Sequence, residues 1–250
     1  MLLSGRELRH LMERVDDQHR DVMRTFRAEA EEIHFGDTAK VLGSNRRRFL
    51  TRAAASGAAL TIGTSTLAFT RILPAGAQEL DDTAIAAFAA SVELAAVEAY
   101  SAAAGSELIT TAEILDAATL FSSHHQEHAD GFNALAGGAE VEDPNPGLLE
   151  EVAGQLEQAT DERGVLEIAF DLEQAAASTY LFALGALTTS AAYNAAASIL
   201  PIEAQHAVVL ATLLGKPAAE YLPSFESLDE TEGTAAALDP DTFPVGEPET

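Results

Sequence analysis

Glutamate and histidine side chains occur in this sequence in a pattern that repeats once. The motif Glu-x-Ala-Ala-x-x-x-Tyr begins at Glu93 and again at Glu173. Each copy is followed, at nearly the same interval, by a His-Ala pair, which starts at His128 in the first copy and at His206 in the second. The near-equal intervals indicate an internal duplication with one geometric purpose. Because carboxylates and imidazoles together suit iron, manganese or zinc, we expect that purpose to be metal binding.

The surroundings of these residues favour burial. Glu93 and Glu173 lie in apolar, Ala-rich stretches, and so does the motif that runs from Glu203 to His206. A buried carboxylate without a partner is costly, so each glutamate is expected to contact a metal ion or a histidine. Positions i and i+3 share a helix face, which places Glu203 beside His206 and pairs His125 with the histidine three residues later. The candidate metal ligands are Glu93, His125, His128, Glu173, Glu203 and His206.

Other polar residues near the repeats are assigned lesser roles. Tyr100 and Tyr180 share a helix face with the two repeated glutamates, because positions i and i+7 nearly align. Each tyrosine is expected either to pack in the core or to make a hydrogen bond that orients a ligand. His124 is expected to point outward. Glu127 faces about 100° away from His128 around the helix, so it is a poor ligand candidate.

The pattern of apolar residues and helix breakers from residue 81 onward predicts helices only. Strand-like alternation does not occur, so the predicted class is all-α. Caps at Asp and Thr residues and breaks at Gly and Pro residues delimit the helices. The expected spans are 84–104, about 110–135, a short helix at 148–159, 161–187 and a last helix from the break at 188–190 to Gly215. Two short links and one long link match a four-helix bundle with a single crossover.

The charge and composition of the chain exclude several classes of partner and site. The net charge is −26 at pH 7, and among the basic residues only Arg163 and Lys216 lie beyond residue 77. Nucleic acids and anionic membranes both attract basic surfaces, so neither is an expected partner. The chain has no cysteine, which excludes disulfides and thiolate metal sites.

The segment before the repeats has the features of an export signal. The run Asn-Arg-Arg-Arg-Phe at 45–49 resembles the twin-arginine motif, an apolar run covers 53–69, and Ala-Gly-Ala at 75–77 offers a small-x-small cleavage site. This order predicts export through the twin-arginine translocase and cleavage after residue 77. The alternatives are an uncleaved anchor and a start codon placed too early. The expected location is the periplasm, the cell surface or the medium.

These features divide the chain into three parts. Residues 1–77 form the export signal with a long charged leader, and residues 78–222 form the helical bundle. Residues 223–250 hold many acids, several prolines and no basic residue, a composition that predicts disorder. The leader contains three histidines without a metal-binding spacing, which are expected to be solvated: His10, His19 and His34.

The repeated ligands resemble those of the ferritin-like superfamily of di-metal carboxylate proteins, particularly its secreted, twin-arginine-exported members. The resemblance covers about 83–214. In that superfamily two helices each supply one Glu, and the other two each supply Glu-x-x-His. The resemblance implies that the single glutamates are Glu93 and Glu173, and that Glu203 and His206 form one Glu-x-x-His pair.

The second Glu-x-x-His pair departs from the family pattern. His128 matches its histidine, but His125 stands where the family has a glutamate. A bridging carboxylate holds two cations together and offsets their charge, and a neutral imidazole does neither well. The centre is therefore expected to take one of three forms: two metals held asymmetrically, one metal, or no tightly bound metal.

The resemblance implies redox chemistry at bound iron or manganese, with one or two ions and with zinc as a further candidate. The expected reaction is oxidation of Fe(II) by oxygen or peroxide, or peroxide disproportionation. The alternative is a metal-free helical-bundle module of the cell envelope, in which glutamates and histidines form buried hydrogen-bonded pairs. The sequence indicates neither the oligomeric state nor catalytic residues beyond the ligands.

Overall fold

The computed structural model describes residues 3–32, 82–136 and 140–217. These residues form six helices and no strand, which confirms the all-α prediction. The twin-arginine motif, the cleavage site, His34 and the acidic tail lie outside the described residues. The helices are α1 (Gly5–Glu32), α2 (Asp82–Gly105), α3 (Ala112–Ala136), α4 (Pro146–Leu156), α5 (Glu162–Ala186) and α6 (Ser190–Leu214).

Helices α2, α3, α5 and α6 form the predicted bundle. The most extensive packing is between α2 and α3 and between α5 and α6, and each of these pairs is joined by a short link. The long connection between α3 and α5 contains α4, which packs against α2 and α5. The Asn145 side chain caps α4 by accepting a hydrogen bond from the backbone N–H of Leu148 at 3.1 Å. Gly215 ends α6 in the left-handed region, at φ 71°, where glycine has no steric cost.

Two acidic residues join the halves of the bundle in the same way. Asp82, the first residue of α2, accepts hydrogen bonds from the backbone N–H groups at 188–189, just before α6, at 2.9 and 2.6 Å. Glu162, the first residue of α5, accepts from those at 110–111, just before α3, both at 2.9 Å. Each half therefore caps the second helix of the other half, as the sequence duplication would produce.

The apolar core of the bundle is divided into two clusters. One cluster, which includes Phe121 and Phe170, lies towards the end of the bundle where α2 ends and α3 begins. The other, which includes Phe132 and Ile199, lies towards the opposite end. The buried glutamates and histidines come from the middle of the helices, so they form a polar layer between two apolar clusters.

Helices α2 and α6 are long and apolar enough to cross a membrane, judged by length and composition alone. In the bundle, 67% of the most apolar window of α2 and 50% of that of α6 is buried. Both helices also carry glutamates that face the interior, Glu93 on α2 and Glu203 on α6. Their apolar composition is that of helices in a core built largely from alanine.

Helix α1 packs against α3 and α6, outside the predicted four-helix arrangement. Its buried side chains recur every three or four residues: Leu8, Met12, Val15, His19, Met23 and Phe26. This is the spacing of an amphipathic helix with one apolar stripe. The expectation that His19 is solvated is wrong, because it lies on this stripe with only 1% of its surface exposed. His10 lies off the stripe and is exposed, as expected.

Ion pairs at the edge of α1 add little to this packing. Arg9 pairs with Glu113 at 2.8 Å, and Arg27 pairs with Glu127 at 2.6 Å, all with partly exposed side chains. Exposed pairs of this kind contribute about 0–1 kcal/mol each. Burial of one large apolar side chain contributes about 1.5–3 kcal/mol, so the apolar stripe holds α1 in place.

The contact between α1 and Gly131 provides a test of this docking. A Cβ at Gly131 would lie 2.0 Å from a ring carbon of Phe26. Glycine to alanine within a helix ordinarily stabilises by about 0.5–1 kcal/mol. We expect Gly131→Ala to destabilise the protein instead, and to become stabilising when combined with Phe26→Leu. Urea unfolding of the two single variants and the double variant measures this reversal of sign.

Gly154 supplies the matched control, because nothing lies within 4 Å of a Cβ built there. Gly154→Ala should stabilise the protein by the ordinary amount in both backgrounds. A stabilising Gly131→Ala in the presence of Phe26 would show that α1 does not occupy this position.

Candidate metal centre

The structure brings the six candidate ligands together in the middle of the bundle. Helix α2 supplies Glu93, α3 supplies two histidines, α5 supplies Glu173, and α6 supplies Glu203 and His206. All six side chains belong to residues that are at most 1% exposed. The i, i+3 spacing on α3 and α6 points both members of each pair inward, as the sequence predicted.

The first ligand group is formed by α2, α3 and α6. Its members are Glu93, His125, His128 and Glu203, whose ligand atoms all lie within 4.8 Å of one another. The Nδ1 atom of His128 is 2.8 Å from Oε1 of Glu203, and 3.6 Å from Oε2 of Glu93. The Nδ1 atom of His125 is 2.6 Å from the same Glu93 oxygen. Two carboxylates and two imidazoles therefore converge on one small volume.

The second ligand group is formed by α3, α5 and α6. Its members are His125, Glu173, Glu203 and His206, again with ligand atoms within 4.8 Å of one another. The Nδ1 atom of His206 is 3.3 Å from Oε2 of Glu173 and 3.4 Å from Oε2 of Glu203. The Nε2 atom of His125 is 3.1 Å from Oε1 of Glu173.

Two residues belong to both groups, and each presents a different atom to each group. Glu203 directs Oε1 towards the first group and Oε2 towards the second. His125 directs Nδ1 towards Glu93 in the first and Nε2 towards Glu173 in the second. His125 thus lies between the two groups, at the place where the family pattern has a second carboxylate.

Unpaired polar atoms show that this arrangement suits a metal. Among the described residues, neither oxygen of Glu203 and neither ring nitrogen of His128 has a hydrogen-bond partner. The two side chains are close, but their groups do not point along a hydrogen bond. Buried polar atoms without partners are costly and uncommon in folded proteins. Metal coordination would engage the Glu203 oxygens and His128 Nδ1, so the donor set fits iron, manganese or zinc.

Two tyrosines orient the single glutamates from across the bundle. The Tyr100 hydroxyl donates a hydrogen bond to Glu173, and the Tyr180 hydroxyl donates one to Glu93. Each tyrosine therefore serves the glutamate of the other repeat, not the one on its own helix face. Burial raises the pKa of both phenols, and the adjacent carboxylates raise it further. Both hydroxyls thus keep the proton that they donate.

The expectation that His124 points outward is wrong. His124 is 1% exposed, and its Nδ1 lies 3.0 Å from Nε2 of His206. This contact holds the ring of His206 with its other nitrogen towards the two glutamates, the usual arrangement around a metal-ligating histidine. The helix turns His124 away from the ligand groups, but α1 covers that side of the bundle. Glu127 lies at the surface and binds Arg27.

Burial and charge act against each other on the central residues. Burial disfavours the charged form of His128, but Glu93 and Glu203 raise its pKa to about 9. The pKa values of His125 and His206 are likewise raised by the glutamates against the effect of burial. Burial opposes ionisation of Glu93, yet His128 and His125 lower its pKa to about 2. Without metal, these shifts favour the carboxylate form of Glu93 and Glu173 and the imidazolium form of His125 and His128.

A comparison with known protein families assigns the helical bundle to a family. The family described as the ferritin-like domain matches residues 81–216, more than half of the chain. The chain therefore belongs to the ferritin-like domain family. No curated protein and no solved structure shows a significant match to it. The family and the buried Glu and His groups together fit a metal-binding ferritin-like protein. The match begins after α1, so α1 lies outside the matched domain.

Metal and protons should compete at this centre. In the metal-free protein the pKa of His128 is raised from its ordinary value of 6.5 to about 9. The ion pairs of protonated His128 therefore contribute their full stabilisation of the fold below pH 6.5. That contribution is lost as the pH rises through about 9. Metal needs neutral imidazole, so metal binding releases protons and strengthens over the same interval. Thermal unfolding of metal-free and zinc-loaded protein from pH 6.5 to 9 should therefore show opposite trends.

His10→Gln is the control, because His10 is exposed and remote from the centre. It should leave both pH profiles unchanged. A metal-free protein that becomes more stable over this interval would contradict the ion-paired description of the centre.

Proposed function

We propose that the protein is an exported metal-binding ferritin-like protein whose centre uses iron or manganese for redox chemistry. The reaction is oxidation of Fe(II) by oxygen or peroxide, or disproportionation of peroxide. The observation that carries the proposal is the pair of buried ligand groups that share Glu203 and His125. Two cations held by shared ligands can act on one small oxidant together.

The three carboxylates among the ligands favour a metal ion whose charge increases during the reaction, such as iron or manganese. When bound, iron or manganese supplies one-electron oxidation and reduction, with oxygen or peroxide as the electron acceptor or donor. Glu93, Glu173 and Glu203 supply three negative charges in a centre from which solvent is excluded. Carboxylates stabilise the higher oxidation state because their attraction for a cation increases with its charge and with low local polarity. Zinc fits the same donors but would not support this chemistry.

Tyr100 holds Glu173 in a fixed orientation, and Tyr180 does the same for Glu93. By donating to one side of each carboxylate, they leave the rest of that group directed at the centre. Each tyrosine also lines a small apolar cavity, Tyr100 together with Leu172 and Tyr180 together with Phe132. Apolar cavities at both tyrosines are compatible with access by a small uncharged oxidant and not by ions.

A second candidate function is the metal-free module of the cell envelope. One observation favours it: the neighbouring glutamates raise the pKa values of three imidazoles, which favours ion pairs between histidines and glutamates without any metal. A buried ionic layer of this kind can fix the register of the helices. The two functions differ at Glu203, whose oxygens have no hydrogen-bond partner among the described residues. A metal would coordinate these oxygens, whereas an ionic layer would hold them only by the charge of the neighbouring imidazoles.

Replacement of Glu203 distinguishes the two candidates. Glu203→Gln keeps the volume and removes the one carboxylate that both groups share. We expect the full chain to retain one or two iron or manganese ions after washing with a weak chelator. The variant should lose at least one of them, and its rate of Fe(II) oxidation should fall by about 10²-fold or more, the scale of one lost catalytic group. Elemental analysis, oxidation kinetics and circular dichroism measure these effects.

Glu98→Gln is the matched control, because Glu98 lies on the same bundle but is exposed. It should retain the metal and the activity, which separates the centre from nonspecific binding by an acidic chain. A wild-type chain that retains no metal, with Glu203→Gln changing stability only, would instead support the metal-free module.

Export is a separate part of the proposal and rests on the motif at 45–49. Arg46→Lys combined with Arg47→Lys should keep the protein in the cytoplasm, because the translocase recognises the arginine pair. Arg48→Lys, the control, should be exported. Cell fractionation measures both, and the intact mass of the exported protein shows whether it begins at Gln78. Equal export of the two forms would contradict the twin-arginine assignment.

A further inference from the structure

A third group of potential ligands lies outside the central six. Asp16 and His19 on α1 meet His124 on α3, with ligand atoms within 4.8 Å of one another. We propose that these three residues form a second metal site, which binds a divalent first-row transition ion such as Fe(II), Co(II) or Zn(II). Two imidazoles with one carboxylate are a donor set that such ions accept, with further positions open to solvent or substrate ligands.

The geometry requires only small movements to bind an ion. The Nε2 atom of His124 is 3.4 Å from Oδ1 of Asp16. Ligand bonds of about 2.0–2.2 Å place two donor atoms about 3–4.4 Å apart, so this pair already spans an ion. The rings of His19 and His124 are stacked with centroids 3.7 Å apart. A modest tilt of these rings would direct one nitrogen of each towards the ion.

The burial of His19 is the second, independent observation. The residue is 1% exposed, and its Nε2 atom has no hydrogen-bond partner among the described residues. An apolar side chain at this position of the α1 stripe would avoid the cost of a buried unpaired nitrogen. Burial, together with a smaller effect of the nearby histidines, lowers the pKa of His19 to about 3. His19 is therefore neutral, which is the form of imidazole that binds metals.

The site adjoins the central one through His124 and through the ring of His19, whose centroid lies 5.1 Å from that of His128. His124 directs Nε2 towards Asp16 and Nδ1 towards His206, whose other nitrogen faces the central glutamates. Its occupancy does not depend on the proposed redox function, because it shares no ligand with the central groups. Asp16 and His19 lie on α1, outside the family match at 81–216, whereas His124 lies within it.

The structural alternative is that Asp16 serves only as the partner of Arg20. The guanidinium of Arg20 lies 2.5 Å from Oδ2 of Asp16, which leaves Oδ1 to face His124. Arg20→Gln removes this ion pair and keeps the carboxylate. It should preserve or strengthen metal binding at the site, whereas loss of an ion pair alone could not change the metal content.

The experiment uses the full chain loaded with Co(II), whose visible spectrum reports N and O coordination, and with Zn(II) for counting. Asp16→Asn, which keeps the volume, should retain one ion per chain fewer than wild type, and His19→Gln should do the same. Asp17→Asn, an exposed neighbour at 78% side-chain exposure, should retain the wild-type number. Glu203→Gln should lose central metal but keep the Co(II) spectrum of the outer site.

An unchanged metal count in Asp16→Asn, or loss of all Co(II) from Glu203→Gln, would overturn the proposal. The two variants test the outer site and the central redox function independently. If Glu203→Gln equals wild type and Asp16→Asn loses one ion, then the outer site is correct and the central redox function is not.

Discussion

The desolvation of three carboxylates in the middle of an apolar bundle is the constraint on which the rest of the structure depends. Glu93, Glu173 and Glu203 are removed from water, and an isolated buried carboxylate would be neutralised or would unfold the protein. Histidines from the neighbouring helices and tyrosines from across the bundle compensate that cost. These contacts fix the register of four helices whose alanine-rich surfaces would otherwise pack in several ways.

The duplication makes this compensation nearly symmetric. The tyrosine of each repeat binds the glutamate of the other, and the acidic residue that begins α2 or α5 caps the opposite half. Neither half can therefore satisfy its buried groups alone. His125 breaks the symmetry, since it occupies the position of a bridging carboxylate and presents one nitrogen to each ligand group. A neutral histidine at this position supplies one negative charge fewer than a glutamate would.

Helix α1 closes the side of the bundle on which His124 and His128 lie. Its apolar stripe packs against the outer faces of α3 and α6. The ring of His19 on this stripe contacts the rings of His124 and His128. In the sequence, Leu8, Leu11, Met12 and Val15 are unevenly spaced among charged residues, so their spacing alone does not predict this packing. Cleavage after residue 77 would separate α1 from the bundle against which it packs. The packing of α1 and the proposed export of the protein therefore affect each other.

The sequence by itself determined the helical class, the single crossover and the identity of the residues that face the centre, because helical periodicity and apolar context are local properties. The repeat of Glu93 and Glu173 also indicated that the two halves would be equivalent. Only the tertiary structure decided which tyrosine serves which glutamate, that His125 lies between two ligand groups, and that His124 and His19 are buried. Those facts depend on which helix faces which, and the packing of distant segments is not encoded in the spacing of residues along one helix.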